Sequence, residues 1–454
     1  MARAKAMRAR VARGRPAGGK RTMNSAAPAL TAWIMPTAVV LAVIPLVAGR
    51  IVTTPLGVPH PPFVGDVAPH ADPLLAVSVA CFAAAVALAP RLLAARAVWF
   101  AAGAGALTLV LRLALAAGGG GQGGAGVAAW WKVFDPARSY EAPNEYLPAL
   151  GALRWGPRFF LDRFAETVPA LPVHAAGHPP GMLLALDALG IASPGGMAAL
   201  CIGVGALGVP LAYLLGRQVL DEPRARLAAL LLAFAPGALL FGATSADAVY
   251  LTLGLLAAWP LAARSWRART AGAVALAVAS LFAWSLLAVG AWAALLAWRR
   301  EGWRAALALS ALCGVVLAAF YAALYAGTGF DLIGTLRATE DVYRAGVAAV
   351  RPYWYWLLGS PTAFLLVLGL PISWYALRSL AAGRTLAVAI FAVLAFAAMM
   401  GFTRAETERI WLFFAPFVCV AAAAGPAADV PLRPLLALLA VQALAYEFAF
   451  DTIW

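Results

Sequence analysis

The feature that most restricts this chain is its succession of long apolar runs. Crossing about 30 Å of hydrocarbon takes roughly 20 mostly apolar residues. Stretches of that kind lie near 28–48, 73–91, 97–117, 195–215, 225–240, 245–263, 268–283, 284–298, 303–326, 353–377, 385–402, 409–425 and 433–450. Two boundaries between neighbours rest on weak signals. A turn near Gly242-Ala243-Thr244-Ser245 divides 225–263, and either Gly290 or the Ser285 region divides 268–298. A soluble globule cannot hide this surface. Hydrophobic residues are 63% of the chain and charged residues 12%, against about 45–50% and about 25% in soluble domains. The expected fold is all-α: a polytopic membrane protein with about 13 transmembrane helices and amphipathic interfacial helices in one large outer loop. Residues 28–454 form a single transmembrane domain, and 1–27 form a basic tail.

Basic residues give the orientation, because lysine and arginine collect on the cytoplasmic side. The first 21 residues hold eight basic residues and no acid. With that tail inside and the spans alternating, the inner side receives 22 basic and 4 acidic residues, and the outer side 11 and 14. Arg112, Asp187 and Asp247 fall within or beside spans. The net charge of +14 is then a topology signal and an inner-leaflet contact, which argues against nucleic acid as a partner. The partner is the lipid bilayer. A bacterial plasma membrane is expected, with the N-terminus cytoplasmic and the C-terminus outside. The cysteines Cys81, Cys201, Cys313 and Cys419 all sit in apolar runs without metal-ligand spacing, so neither a disulfide framework nor a zinc site is expected.

The longest outer loop, 118–193, opens with a glycine-rich connector. From Asn144 onward Leu147, Leu150, Leu153 and Trp155 read as one apolar face of an interfacial helix. His178-Pro179-Pro180 fixes a turn before the apolar helix GMLLALDALG. In GFTRAETERIW, Arg404 and Glu408 have i,i+4 spacing, with Glu406 and Arg409 facing elsewhere. Charges wedged between two spans are functional candidates, and arginine's planar fork suits phosphate. The other large outer loop, 327–352, carries Arg344 and Arg351, which can share such an anion. Tyr353-Trp354-Tyr355-Trp356 reads as an aromatic interface belt. Asp247 opens a helix on the outer side, placing it for an acceptor or sugar contact. A buried Arg112–Asp187 pair accounts for two charges close to lipid.

Two stretches resemble a known family. One is Asn144-Glu145-Tyr146, followed 33 residues after Glu145 by His178-Pro179-Pro180 and an apolar helix. The other is YLLGRQVLDEPRARLAALLLAFAPGALLFGATSADAVYLTLGLLAAW, a basic hairpin, a helix ending in proline and an aspartate opening the next helix. Together they look like the polytopic GT-C glycosyltransferases, nearest the protein-O-mannosyltransferase and aminoarabinose-transferase branch. The resemblance covers roughly 140–265. It implies transfer of a sugar from a polyprenyl-phosphate donor, without metal or further cofactor, to a glycan or protein acceptor at the extracytoplasmic face, with inversion. Such a reaction needs a carboxylate to take the acceptor's proton and cations for the departing phosphate. Glu145 is the expected base, with Asp66, Glu141 and Asp135 as alternatives. Arg404, Arg409, His178, Arg344 and Arg351 are expected at the donor phosphate, and Asn144, Tyr146, His174 and Asp247 at the substrate. The family usually opens this loop with Asp-Glu, whereas position 144 here is asparagine. A transporter or flippase of a lipid-linked envelope intermediate, or a noncatalytic membrane partner, are the alternatives.

Overall fold

The computed structural model describes residues 26–70, 72–119 and 126–452. Most of the expected basic tail and of the glycine-rich connector lies outside the described residues. The chain is α-helical almost throughout. Its only ladder among the described residues pairs β1 (Asp66–Val67) with β2 (Phe450–Asp451), antiparallel.

Among the described residues, six helices are long and apolar enough to cross a membrane: Ala32–Ile51 within α1 (Ala26–Ile51), α2 (Leu74–Leu93), α3 (Ala97–Gly118), Pro194–Val219, Trp303–Thr328 and Leu432–Ala449. Two bent pairs raise the number to eight. Length and composition therefore support six to eight of the expected thirteen crossings. The remaining apolar stretches are shorter or broken helices.

The breaks follow local sequence. Pro236 lacks the N–H needed to continue Glu222–Phe234, so the chain bends by 58° and restarts as Pro236–Thr244. The turn expected at Ser245 is also present, so 225–263 holds two breaks instead of one. Gly369, at φ 132°, ends Tyr353–Leu368, and Leu370–Ala381 leaves it at 116°. The expected single span 353–377 is thus two helices. The 268–298 stretch divides at Leu281–Ala283, before the 3₁₀ turn Trp284–Leu286, while Gly290 lies inside Leu287–Glu301.

Glu222–Phe234, Pro236–Thr244, Asp247–Leu261 and Ala415–Ala423 form the centre, where alanine and glycine let backbones approach. Trp303–Thr328 lies at the periphery with Val315 68% exposed. Apolar surface of that kind suits lipid rather than water.

Hydrogen bonds draw the connecting loops into two groups. At one end Arg226 donates to the Leu93 and Ala95 carbonyls, Arg300 to those of Ala262 and Gln218, and Arg299 to that of Gly383. At the other, Gly181 N–H donates to Leu281 O at 2.7 Å, and Val64 N–H to Glu408. Gly181 has no alternative residue there, because a Cβ would stand 2.5 Å from that carbonyl oxygen.

Candidate functional site

At this second end, four segments distant in sequence bring their charges together. The first is the stretch after the connector. Pro143 lies in a 3₁₀ turn, Ala142–Asn144, and the chain leaves it extended at Glu145, which sends that carboxylate inward; Glu145 is 2% exposed. Asn144 lies inside this turn, and its Nδ2 donates to Glu141 Oε2 at 3.2 Å. The residues beyond do not form the expected α-helix. Leu147–Trp155 is 3₁₀, which suits a Leu147, Leu150, Leu153 repeat because i and i+3 eclipse. Trp155 leaves that face and is exposed.

The second segment supplies the histidines. Val173–Ala176 presents His174, whose Nε2 lies 3.0 Å from Glu141 Oε1 and 3.7 Å from Glu145 Oε1. Burial alone would lower the pKa of His174. The Glu145 charge and the Glu141 hydrogen bond outweigh it, so the net shift is upward and the ring favours its cationic form. His178 follows, before Pro179-Pro180 and the helix Gly181–Ala188, as its turn requires. Its ring centroid is 5.2 Å from that of Tyr250 and 6.3 Å from that of Tyr146. Burial, aided by His174 and Arg409 and opposed by Asp247, lowers His178 to about 4. It is therefore a neutral ring at pH 7. Tyr146 and Tyr250 meet hydroxyl to hydroxyl at 2.6 Å.

The third segment is Ser245–Asp247. Ser245 Oγ donates to Asp247 Oδ2 at 2.6 Å. The fourth is the 401–411 loop, where Arg409 donates from Nη1 to Asp247 Oδ2 at 2.6 Å and from Nη2 to Glu406 Oε2 at 2.9 Å. Arg351 Nη2 reaches the other Glu406 oxygen at 2.6 Å. Burial would raise Glu406, but Arg409 and then Arg351 hold it down at about 2. Glu145 also contributes to keeping Arg409 charged. Glu145–His174–Glu141 and Asp247–Arg409–Glu406–Arg351 are therefore neighbours in one field.

The loop reaches this arrangement against its spacing. Ala405 and Glu406 both take left-handed backbone, at φ 64° and 57°, and the helix begins only at Thr407. Two such non-glycine residues cost about 1–2 kcal/mol each. The expected Arg404–Glu408 neighbour pair is overturned by this geometry. Arg404 donates to the Ala348 and Arg351 carbonyls at 3.0 and 2.9 Å, and Glu408 accepts from Val64 N–H at 2.7 Å. Glu406 and Arg409, expected to face elsewhere, pair with each other.

Other candidates lie outside the cluster. Asp66 is exposed on β1, 3.8 Å from His60. Asp135 pairs with Arg138 and caps Ala137 N–H. Arg344 is exposed and bound to Glu340. Of the aromatic quartet, Tyr355 and Trp356 point inward, donating to Pro45 O and Leu56 O, so only Tyr353 and Trp354 fit an interface belt.

The Arg112–Asp187 pair does not form. Asp187 is exposed. Arg112 is buried, donates from Nε to Ala238 O at 3.1 Å, and has room because positions 205 and 242 are glycine.

Sequence reasoning assigned no role to Tyr250 or Ser245 and did not pair Glu406 with Arg409. For Ser245 and Tyr250 the signal was present, two residues before and three after Asp247. Among the described residues, no three His, Cys, Asp or Glu side chains take up metal-holding positions. No family model and no curated protein matches the chain.

Proposed function

We propose that the chain is a membrane-embedded glycosyltransferase that moves a sugar from a polyprenyl-phosphate donor to a glycan or protein acceptor. Thirteen apolar segments cross or enter a bacterial plasma membrane, with the basic end cytoplasmic and the Glu145–Arg409 end outside. Donor sugar and acceptor meet there, without a cofactor.

In this reading the acceptor hydroxyl attacks the anomeric carbon while Glu145 takes its proton. The bond from that carbon to the phosphate oxygen breaks, the polyprenyl phosphate departs, and the anomeric centre inverts. A carboxylate placed as general base contributes about 10²–10⁴-fold. His174 lies between Glu145 and Glu141, and Asn144 holds Glu141. Neutral His178 accepts a hydrogen bond from a sugar or acceptor hydroxyl. Arg351 and Arg409 share Glu406, so a phosphate that displaces that carboxylate meets two guanidinium groups at once. Developing charge on the leaving oxygens is stabilised most by cations already fixed in a dry site.

The observation that carries the reading is the burial of Glu145 and Arg409 in one cluster built from distant segments. Ionisable groups at membrane depth are costly and tend to be functional. The test is transfer from labelled polyprenyl-phosphate sugars to an envelope extract by protein in proteoliposomes. Glu145→Gln should lower transfer at least about 100-fold with the thermal unfolding transition retained. Full activity in that variant would exclude Glu145 as base and turn attention to Glu141.

One observation favours a second reading, a flippase of a lipid-linked intermediate: the helices broken at Pro236 and Gly369, a transporter feature. Accessibility of a labelled lipid-linked sugar to an external enzyme in the same proteoliposomes distinguishes the two. Movement of the intact donor without acceptor glycosylation supports the flippase.

A further inference from the structure

The basic end of the bundle is not uniform in charge. The hairpin between 217 and 226 neutralises itself. Arg217 and Arg226 pair with Glu222 at 3.2 and 2.7 Å, and Arg224 with Asp221 at 2.6 Å. The connections 262–269 and 299–304 do not. They hold Arg264, Arg267, Arg269, Arg299, Arg300 and Arg304 against one acid, Glu301, and Arg269 occupies that acid. Among the described residues, none of the other five arginines has a carboxylate within ion-pair distance.

These two connections stand side by side. Arg300 Nη1 donates to Ala262 O and Arg269 Nε to Ala263 O, while Arg269 Nη2 reaches Glu301. Like charge is close enough to act: burial, then Arg264, lower the pKa of Arg300, Glu301 opposes them, and Arg269 adds to the fall. The helices that follow, Trp266–Ser280 and Trp303–Thr328, start together here and meet again where Ser280 Oγ lies 2.9 Å from Tyr321 Oη. They therefore run alongside each other. Trp266 and Trp303 open them, both exposed and each with an arginine over its ring, Arg269 at 5.0 Å and Arg304 at 5.4 Å. Further along, Val274, Val278, Leu307 and Val315 are exposed.

We propose that this surface binds an anionic phospholipid of the bordering leaflet, its phosphate on Arg264 and Arg300, with Trp266 and Trp303 at headgroup depth and acyl chains along the exposed apolar residues of the two helices. Guanidinium groups without carboxylate partners call for an anion, and their planar fork takes two phosphate oxygens at once. Tryptophan prefers the membrane–water boundary. Free phosphate would leave the apolar surface without an occupant, and a soluble acidic partner would not reach it below the headgroups. An anionic lipid supplies both parts. Arg267, Arg299 and Arg304 add to the attraction, each basic group beside a membrane being worth a factor of about 5. The self-neutralised 217–226 hairpin offers no such surplus. The lipid surface is independent of sugar transfer, and either can fail without the other.

The experiment titrates the full chain in neutral detergent with dioleoylphosphatidylglycerol or dioleoylphosphatidylcholine and reads each lipid-bound species by native mass spectrometry. Wild type should prefer the anionic lipid, and the preference should shrink as salt rises. Arg264→Gln/Arg300→Gln should weaken anionic-lipid binding about 25-fold and leave phosphatidylcholine binding unchanged. Arg217→Gln/Arg224→Gln, in the neutralised hairpin, should keep the preference. Equal binding of the two lipids by wild type overturns the proposal. So does an unchanged preference in Arg264→Gln/Arg300→Gln, or the same loss in both double variants, which would mark net charge alone. Displacement of the lipid by excess inorganic phosphate also overturns it, because an anion site without acyl contact needs no lipid. If Arg264→Gln/Arg300→Gln fails to fold, Arg264→Gln/Arg267→Gln, at two exposed positions, replaces it: a weaker preference supports the assignment, and an unchanged one opposes it.

Discussion

At the end of the bundle carrying Arg226, Arg269 and Arg300, guanidinium groups hold backbone carbonyls at helix ends. Arg226 binds those of Leu93 and Ala95, and Arg269 binds that of Ala263 and the Glu301 carboxylate. At the opposite end, Arg409 pairs with Asp247 and Glu406, Arg351 with Glu406 and the Arg404 carbonyl, and His174 lies between Glu141 and Glu145. The first arrangement closes helix termini that would otherwise leave carbonyls without donors. The second serves no terminus and concentrates charge where desolvation is costly. Buried charge at the first end is local reinforcement, and at the second it forms the candidate site.

That contrast can be broken by substitution. Arg409→Met strands Asp247 in a buried environment and leaves Glu406 with Arg351 alone, and should destabilise the protein by about 3–5 kcal/mol, read from thermal unfolding in detergent. Arg269→Met leaves Glu301, which still reaches solvent, so a smaller loss of about 1–3 kcal/mol is expected, with transfer activity unchanged. Equal losses in the two variants would erase the distinction.

The pH dependence sharpens it. Glu406 is lowered from 4.5 to about 2, so its contribution is present above pH 4.5 and lost as pH falls toward 2. Glu408 is raised from 4.5 to about 7. The folded state then holds the proton more tightly, and stability falls as pH rises from 4.5 through 7. Linkage puts the Glu408 effect on the order of 3 kcal/mol. The stability of Glu408→Gln relative to wild type should therefore rise across that window in chemical or thermal unfolding. A constant difference would exclude the shift. His178, lowered from 6.5 to about 4, acts oppositely, losing stability as pH falls through that interval. The smallest effect belongs to Arg344→Ala. Its exposed i,i+4 pair with Glu340 should contribute at most about 0.5 kcal/mol, with transfer unaffected.

Much of this architecture was legible from the chain. The apolar runs mark the helices, six to eight of which, among the described residues, are long and apolar enough to cross a membrane. The His178-Pro179-Pro180 turn falls where the prolines require it. What escaped had physical causes. The break at Gly369 was signalled by Gly369-Leu370-Pro371, but the apolar run continues through it. The 401–411 loop misled because i,i+4 spacing means adjacency only on a helix. Nothing in Arg404-Ala405-Glu406 announces two left-handed residues, which the ion pairs of Glu406 hold in place. Arg112 and Asp187 were matched because both looked isolated. The fold instead exposes Asp187 and gives Arg112 a carbonyl and two glycines. The β1–β2 ladder joins Asp66 to Asp451 and Val67 to Phe450, with two-residue strands too short to show a pattern.

The account rests on Arg409 and Arg351 being the phosphate-binding end of a site whose base is Glu145. A density map of the protein in nanodiscs with a polyprenyl monophosphate tests this directly. The account predicts phosphate density between those two guanidinium groups in place of the Glu406 carboxylate, with the prenyl chain running into lipid and Glu145 facing the phosphate. Polyprenyl-phosphate density at the basic end, or Arg409 still bound to Asp247 and Glu406 with no density beside it at saturating ligand, would contradict it.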